Sequence, residues 1–214
     1  MLEKRWGAKR AEALHCSVDP DLYMPDVEAG IRWDMGYLGT YSHDRQPALE
    51  RLLIEPARRW RQGRFHVAGP QYPDSIDWPA NVGREVHFAP REHRAYYNAQ
   101  RFTLNVTRRD MIEAGYSPSV RLFEAAACAV PIVSDAWPGL ETFFVPGEEI
   151  LVARSTEESL AIMQDMGEEQ RRRIGERARS RVLAGHTAAH RAETVERLTG
   201  EVLDARARIR SAIA

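Results

Sequence analysis

Ser117-Pro118-Ser119-Val120-Arg121 opens an amphipathic stretch that runs through Leu122-Phe123-Glu124 to Ala127. Ser117 reads as an N-cap and Pro118 as a first-turn residue, so a helix is expected to begin there. Its first turn would present free amides at Ser119 and Val120, hydroxyls at Ser117 and Ser119, and the guanidinium of Arg121. With the positive end of the helix dipole, this is the chemistry of an anion site suited to phosphate. The competing reading is an ordinary capped helix whose Arg121 pairs with Asp110 or Asp135. Helix physics alone leaves both open.

Other constellations are weaker. His186 and His190 have the spacing of a helical metal pair, but Gly185 precedes them and no third ligand is evident, so no metal site is expected. Cys128 lies in a run of small residues ahead of an apolar strand and reads as core. No nucleophile-elbow, phosphate-loop or dinucleotide motif is present, which argues against a hydrolase, a P-loop enzyme and a dehydrogenase.

The elements that must position these residues alternate. Strands are expected at Met35–Gly39, Arg64–Ala68, Val86–Phe88, Phe102–Thr107, Pro131–Ser134 and Glu149–Ala153. Helices are expected near 47–60, 92–99 and 117–127, and from Ser155 onward the chain reads as all helix. Ser155 and Glu158 stand at capping-box spacing, and Gly185 is expected to break the long arginine-rich helix before a last one from Thr187. Strands separated by helices favour a Rossmann-like, doubly wound parallel sheet with a helical C-terminal tail. Ligands of such folds bind beyond the carboxyl ends of the strands. The residues to inspect are therefore Gly39-Thr40-Tyr41, Gly69-Pro70-Gln71, Ala89-Pro90, Asn105 to Arg108, Ser134-Asp135 and Pro138-Gly139. Residues 1–30 read as a linker, 31–185 as the ligand-binding domain and 186–214 as a C-terminal helix.

The 214 residues suffice for one substantial α/β domain, and 30 basic against 31 acidic residues leave a net charge of -1. That balance disfavours general attraction to nucleic acid. Arg171-Arg172-Arg173 is flanked by Glu168, Glu169 and Glu176 and reads as a solvated helix face. Two distant cysteines, Cys16 and Cys128, give no disulfide framework. The longest apolar run, Ala125 to Val133, is too short to span a bilayer and the charged start has no signal core, so a cytoplasmic protein is expected.

The stretch Gly115 to Asp135 resembles the donor-site segment of GT-B glycosyltransferases. Trp137 to Glu149, and Tyr37 to Arg45 around the first strand, continue the likeness. Within the group 1 transferases it is most similar to the CgeB-like, spore-maturation-type branch. The resemblance implies a domain that binds a nucleoside-diphosphate sugar, with a separate N-terminal half supplying the site of an unknown acceptor. It places Glu124 on the ribose hydroxyls, the Ser119 and Val120 amides on a phosphate, and Arg45 where a diphosphate-binding lysine is usual. With Gly39, Thr40, Asn105, Ser117 and Arg121 these form the expected donor site, which needs neither cofactor nor metal. Three positions depart from the pattern: Tyr116 where an acid is usual, Thr40 where an arginine is common, and Ala129 in place of a glycine. The expected function is sugar transfer, inactive without the acceptor half. An epimerase of the same architecture and a non-catalytic nucleotide-sugar-binding module are the alternatives.

Overall fold

The computed structural model describes residues 2–213. In chain order these form a short helix α1 (Leu2–Trp6), strand β1 (Trp33–Leu38), helix α2 (Gln46–Leu49), a π-helical segment (Glu50–Ile54) and helix α3 (Glu55–Arg59). Then come β2 (Phe65–Ala68), β3 (Val82–Glu85), α4 (Pro90–Asn98), β4 (Gln100–Asn105), α5 (Arg109–Ala114) and α6 (Val120–Ala127). The chain ends with β5 (Ile132–Ser134), a 3-10 turn (Leu140–Thr142), β6 (Leu151–Val152), α7 (Thr156–Asp165), α8 (Glu168–Gly185) and α9 (Ala188–Ile213).

The strands make one parallel sheet in the order β3-β2-β1-β4-β5-β6. The order reverses between β1 and β4, so a crevice is expected at the carboxyl ends of those two strands. Register follows the two-residue side-chain period. Met35 is level with Phe65 and Phe102, and Tyr37 with Val67 and Leu104. These residues build one core beneath the helical stretch 46–59 and α7. The opposite face is covered by α6 and α8, with Phe123, Ala125, Ala126, Ala127, Ala178 and Val182 fully buried. The alanines of α6 allow close approach to the sheet.

Pro56 interrupts the 46–59 helix, because it has no amide to offer and its ring crowds the preceding turn. A π-helical segment absorbs the defect, and α7 completes it. The Thr156 hydroxyl donates to the Arg51 carbonyl at 2.8 Å and Ser159 to the Leu52 carbonyl at 2.7 Å. Ser155 caps α7 as its spacing predicts, accepting from the Glu158 amide at 3.2 Å.

Several expectations are corrected. The third strand is Val82–Glu85, just before Val86–Phe88; it is an edge strand that buries only Val82, so it lacks an apolar pattern. The helix expected from Ser117 starts at Val120, with Ser119 as N-cap. Pro118, buried, takes the preceding position, from which a hydrophobic residue can pack toward the fourth helical residue, here Phe123. Gly185 is the last residue of α8 instead of a break after Leu183. Arg171 is largely shielded from solvent, bonding Glu168 at 2.8 Å and the Arg101 carbonyl at 3.1 Å. The first 30 residues contain α1 and are held against the body at Val18, which pairs in parallel with Thr187.

Candidate functional site

Beyond the carboxyl ends of β1 and β2 the chain folds around a cavity of about 390 Å³. Its walls include Gly39 and Thr40 after β1, Gly69 and Pro70 after β2, and Arg45 at the start of α2. Arg108, Val120, Arg121, Glu124, Phe88, His93 and Tyr97 also line it. The loops after β1 and β2 meet so closely that a Cβ on Gly69 would lie 2.1 Å from the Gly39 carbonyl oxygen, and Gly69 has φ +146°. Only glycine fits this approach.

Three guanidiniums converge on the cavity, and among the described residues none has a carboxylate within ion-pair distance. Arg45 is only 7% exposed. It donates one bond to the Thr40 carbonyl, and its Nε is buried without a partner. Burial holds its pKa below the ordinary arginine value, and Arg121 and Arg108 nearby act in the same direction. Even so lowered, arginine keeps its charge at neutral pH. Arg121 lies over the Tyr37 ring at 5.2 Å and reaches the Asn105 amide oxygen at 3.4 Å. Its Nε is likewise buried and unpartnered. An uncompensated buried cation costs stability, and here Arg45 is buried and Arg121 part-buried with no carboxylate beside either, an arrangement that suits an anion.

Glu124 supplies the opposite chemistry. Tyr97 donates to one of its carboxylate oxygens at 2.9 Å, which fixes the side chain at the cavity wall. Burial, with Glu124 adjacent, raises the Tyr97 hydroxyl pKa well above normal, so the phenol remains a donor. A carboxylate held by one bond retains lone pairs for hydroxyls of a ligand. Beside it the N-terminus of α6 contributes the Val120 amide, a first-turn donor with no intrahelical acceptor. The cleft thus sets guanidiniums without carboxylate partners beside a carboxylate with free lone pairs.

A family model described as "Glycosyl transferase-like" matches residues 45–197, well over half of the chain. The chain belongs to the glycosyl transferase-like family. Among curated proteins none matches its sequence. Solved structures agree on the architecture. Sucrose-phosphate synthase from Thermosynechococcus elongatus superposes with a TM-score of 0.74 at 18% identity, covering 95% of this chain and 56% of that one. The C-terminal domain of a glycosyl transferase group 1 family protein (LpcC) from Francisella tularensis gives 0.63 at 14% identity, covering 80% of this chain and 99% of that domain. Anabaena Alr3699/HepE, solved in complex with UDP-glucose, gives 0.66 at 13% identity, with 86% and 56% covered. The glycosyl transferase-like chain has the C-terminal GT-B fold, and it spans little more than half the length of the synthase and HepE chains it matches.

Of the residues singled out in the sequence of this glycosyl transferase-like domain, Gly39, Thr40, Arg45, Val120, Arg121 and Glu124 line the cavity. Asn105 stands behind it, fully buried, accepting from Arg121 and donating to the Ser134 hydroxyl at 3.0 Å. Ser119 caps α6 and accepts from Arg121 Nη1 at 3.5 Å. Ser117 precedes the cap and is not among the lining residues. Arg121 pairs with neither Asp110 nor Asp135; the Asp135 carboxylate is taken by the Thr107 amide and hydroxyl. His186 and His190 serve packing: His186 stacks on Phe123 at 5.1 Å, and His190 bonds the Thr187 hydroxyl at 2.6 Å.

Sequence reasoning missed Tyr97, Phe88, His87 and His93 as lining residues. Tyr97 and His93 sit in a helix whose pattern gives no sign of which turn meets the cavity. Arg108, Gly69 and Pro70 lay in loops marked for inspection, without being assigned a role.

Proposed function

We propose that this chain is the donor-binding half of a CgeB-like group 1 glycosyltransferase, and that its cavity holds a nucleoside-diphosphate sugar. The observation that carries the reading is the pair of carboxylate-free guanidiniums, buried Arg45 and part-buried Arg121, each with an unpartnered Nε, beside the α6 N-terminus and the Tyr97-braced Glu124. Arg45 and Arg121, with the Val120 amide and the Ser119 cap, face the diphosphate. Gly39 and Thr40 let backbone approach it, and Asn105 holds Arg121 in place. Glu124 takes the ribose diol. During transfer the sugar–phosphate bond breaks and negative charge grows on the leaving diphosphate, where preorganised cations stabilise it most. Acceptor positioning belongs to a second, N-terminal half, as in the likeness, and this chain alone binds donor without transferring sugar.

A second reading, binding without catalysis, has one observation in its favour. Tyr116 occupies the usual acid position with φ +51°, and its ring packs against Gly139, where a Cβ would be 2.7 Å away.

Titration calorimetry with UDP, GDP and their 2′-deoxy forms tests the donor reading. Glu124→Ala should weaken the ribonucleotide by about 1.5–3 kcal/mol, the range for hydrogen bonds to charged groups, and the deoxynucleotide by less. A correctly folded chain that binds no nucleoside diphosphate refutes it.

A further inference from the structure

The carboxyl edge of the sheet carries a second cavity, of about 590 Å³, that the donor site does not use. It is walled by Arg51 from the π-helical segment, Arg109 and Thr107 after β4, Asp135 after β5 and Arg154 after β6. The two cavities abut through chain neighbours. Arg45 and Arg108 face the first; Asp44 and Arg109 face the second. Whatever occupies the second cavity therefore lies beside the diphosphate cations.

The charges there are unequal in availability. Asp44 accepts from the Ser42 hydroxyl and from the Arg109 amide at 2.7 Å. Asp135, 7% exposed at the cavity floor, accepts from the Thr107 amide at 3.0 Å and its hydroxyl at 2.9 Å. Those two acids are engaged by neutral donors of the fold; a third, Glu113, exposed on α5, also lines the cavity and bonds nothing among the described residues, so the free groups there are three guanidiniums and one carboxylate. Arg51, Arg109 and Arg154 are exposed, come from three separate elements, and among the described residues have no carboxylate within ion-pair distance and no side-chain hydrogen bond. Arginines on the outer faces are arranged otherwise: Arg101, Arg171, Arg177 and Arg181 all pair with glutamates. Guanidinium forks suit planar or tetrahedral oxyanions, and the free Glu113 carboxylate suits a hydroxyl.

We infer that this second cavity is a subsite for an anionic sugar, a saccharide bearing a phosphate or a carboxylate, held by Arg51, Arg109 and Arg154, which supplements from this chain the acceptor site that the N-terminal half supplies. The role as acceptor subsite rests on the donor reading above; the binding itself does not.

The test titrates glucose 6-phosphate, glucuronate and glucose into the chain, with and without saturating UDP, and follows arginine side-chain NMR signals. At least one anionic sugar should bind and shift the second-cavity arginines, with the neutral sugar at least tenfold weaker. Comparing the phosphate and carboxylate arms identifies the anion preferred. Arg51→Gln and Arg154→Gln should each weaken anionic-sugar binding about tenfold, the lower end for one charge-assisted bond, and leave UDP affinity unchanged. Equal binding of glucose, no binding of either anion, or a loss caused by Arg45→Met but by neither glutamine variant would overturn the inference. If UDP fails to bind while the anionic sugars behave as stated, the donor reading falls and the second site stands.

Discussion

Arg45 offers a perturbation whose two effects should have opposite signs. In the free chain its guanidinium is 7% exposed, makes one bond, to the Thr40 carbonyl, and leaves Nε buried without an acceptor. Arg45→Met keeps most of the side-chain volume and removes both the charge and the unsatisfied donor. Relief of a buried unsatisfied group is worth about 1–3 kcal/mol, against about 0.5–1.5 kcal/mol for the one bond lost. Thr40 lines the cavity, so water can take over its carbonyl. The net expectation is stabilisation of about 1 kcal/mol, or roughly 2–4 °C in Tm for a chain of this size. Binding should move the other way. Loss of one cation from the diphosphate costs about 1.5–3 kcal/mol, roughly ten- to 150-fold in Kd for UDP. Added salt should shrink that difference. Differential scanning fluorimetry without ligand and calorimetry with UDP read the two effects separately. A variant with lowered Tm and unchanged UDP affinity would show that Arg45 is a structural residue and refute the reasoning.

Four further outcomes follow from the packing. Ser159→Ala strips the Leu52 carbonyl of its donor at a fully buried site and should cost about 1–3 kcal/mol in a urea midpoint series. Gly175→Ala would put a Cβ 2.1 Å from the Ala129 carbonyl oxygen, which is backbone and cannot swing away; a loss of about 1–3 kcal/mol is expected in the same assay. Ala129→Gly relieves a left-handed residue at φ +54°, a conformation costing a non-glycine about 1–2 kcal/mol, and should raise stability by somewhat less than that. Stability should also fall with acid: burial holds His66 at about 4, below its ordinary 6.5. The unfolded chain then takes up a proton that the folded chain refuses. Stability therefore rises with pH between about 4 and 6.5 and is flat above. His66 alone should account for a loss of about 2 kcal/mol between pH 7 and pH 5, at 1.36 kcal/mol per unit, and His186, which burial also holds at about 4, adds in the same direction; an unchanged denaturant midpoint over that range would contradict it.

The sheet was legible in the sequence wherever a strand buries a periodic face. Met35 and Tyr37, Phe65 and Val67, and Phe102 and Leu104 repeat at two residues and form one core. The edge strand Val82–Glu85 shows no such repeat, because only Val82 is covered. Propensity points to Ser117 as the cap of α6, whereas in the fold Ser119 takes that role. The π-helical segment is invisible in 46–59 alone. Pro56 announces a defect, but Thr156 and Ser159, about a hundred residues later, decide that it is repaired instead of ending the helix.

The site divides in the same way. Arg121 and the helix start were visible as local chemistry, whereas Arg45 and Glu124 entered only through family likeness, since an isolated arginine or glutamate on a helix has no distinguishing pattern. What separates them from ordinary surface charge is whom they fail to meet. Arg101 and Arg171 share Glu168, and Arg58 and Arg59 share Glu55, so those cations are neutralised by the fold itself. Arg45, buried, and Arg121, part-buried, stand in the cavity wall and are given only neutral oxygens, from Thr40, Asn105 and Ser119. Coulombic attraction strengthens as the surroundings become less polar, so a diphosphate entering this cleft meets stronger attraction than it would at the solvated pairs. The folded chain bears the cost of these unpaired charges before any ligand arrives, and a ligand of matching charge recovers it on binding. That coupling makes ligand-induced stabilisation the physical signature to seek in this domain.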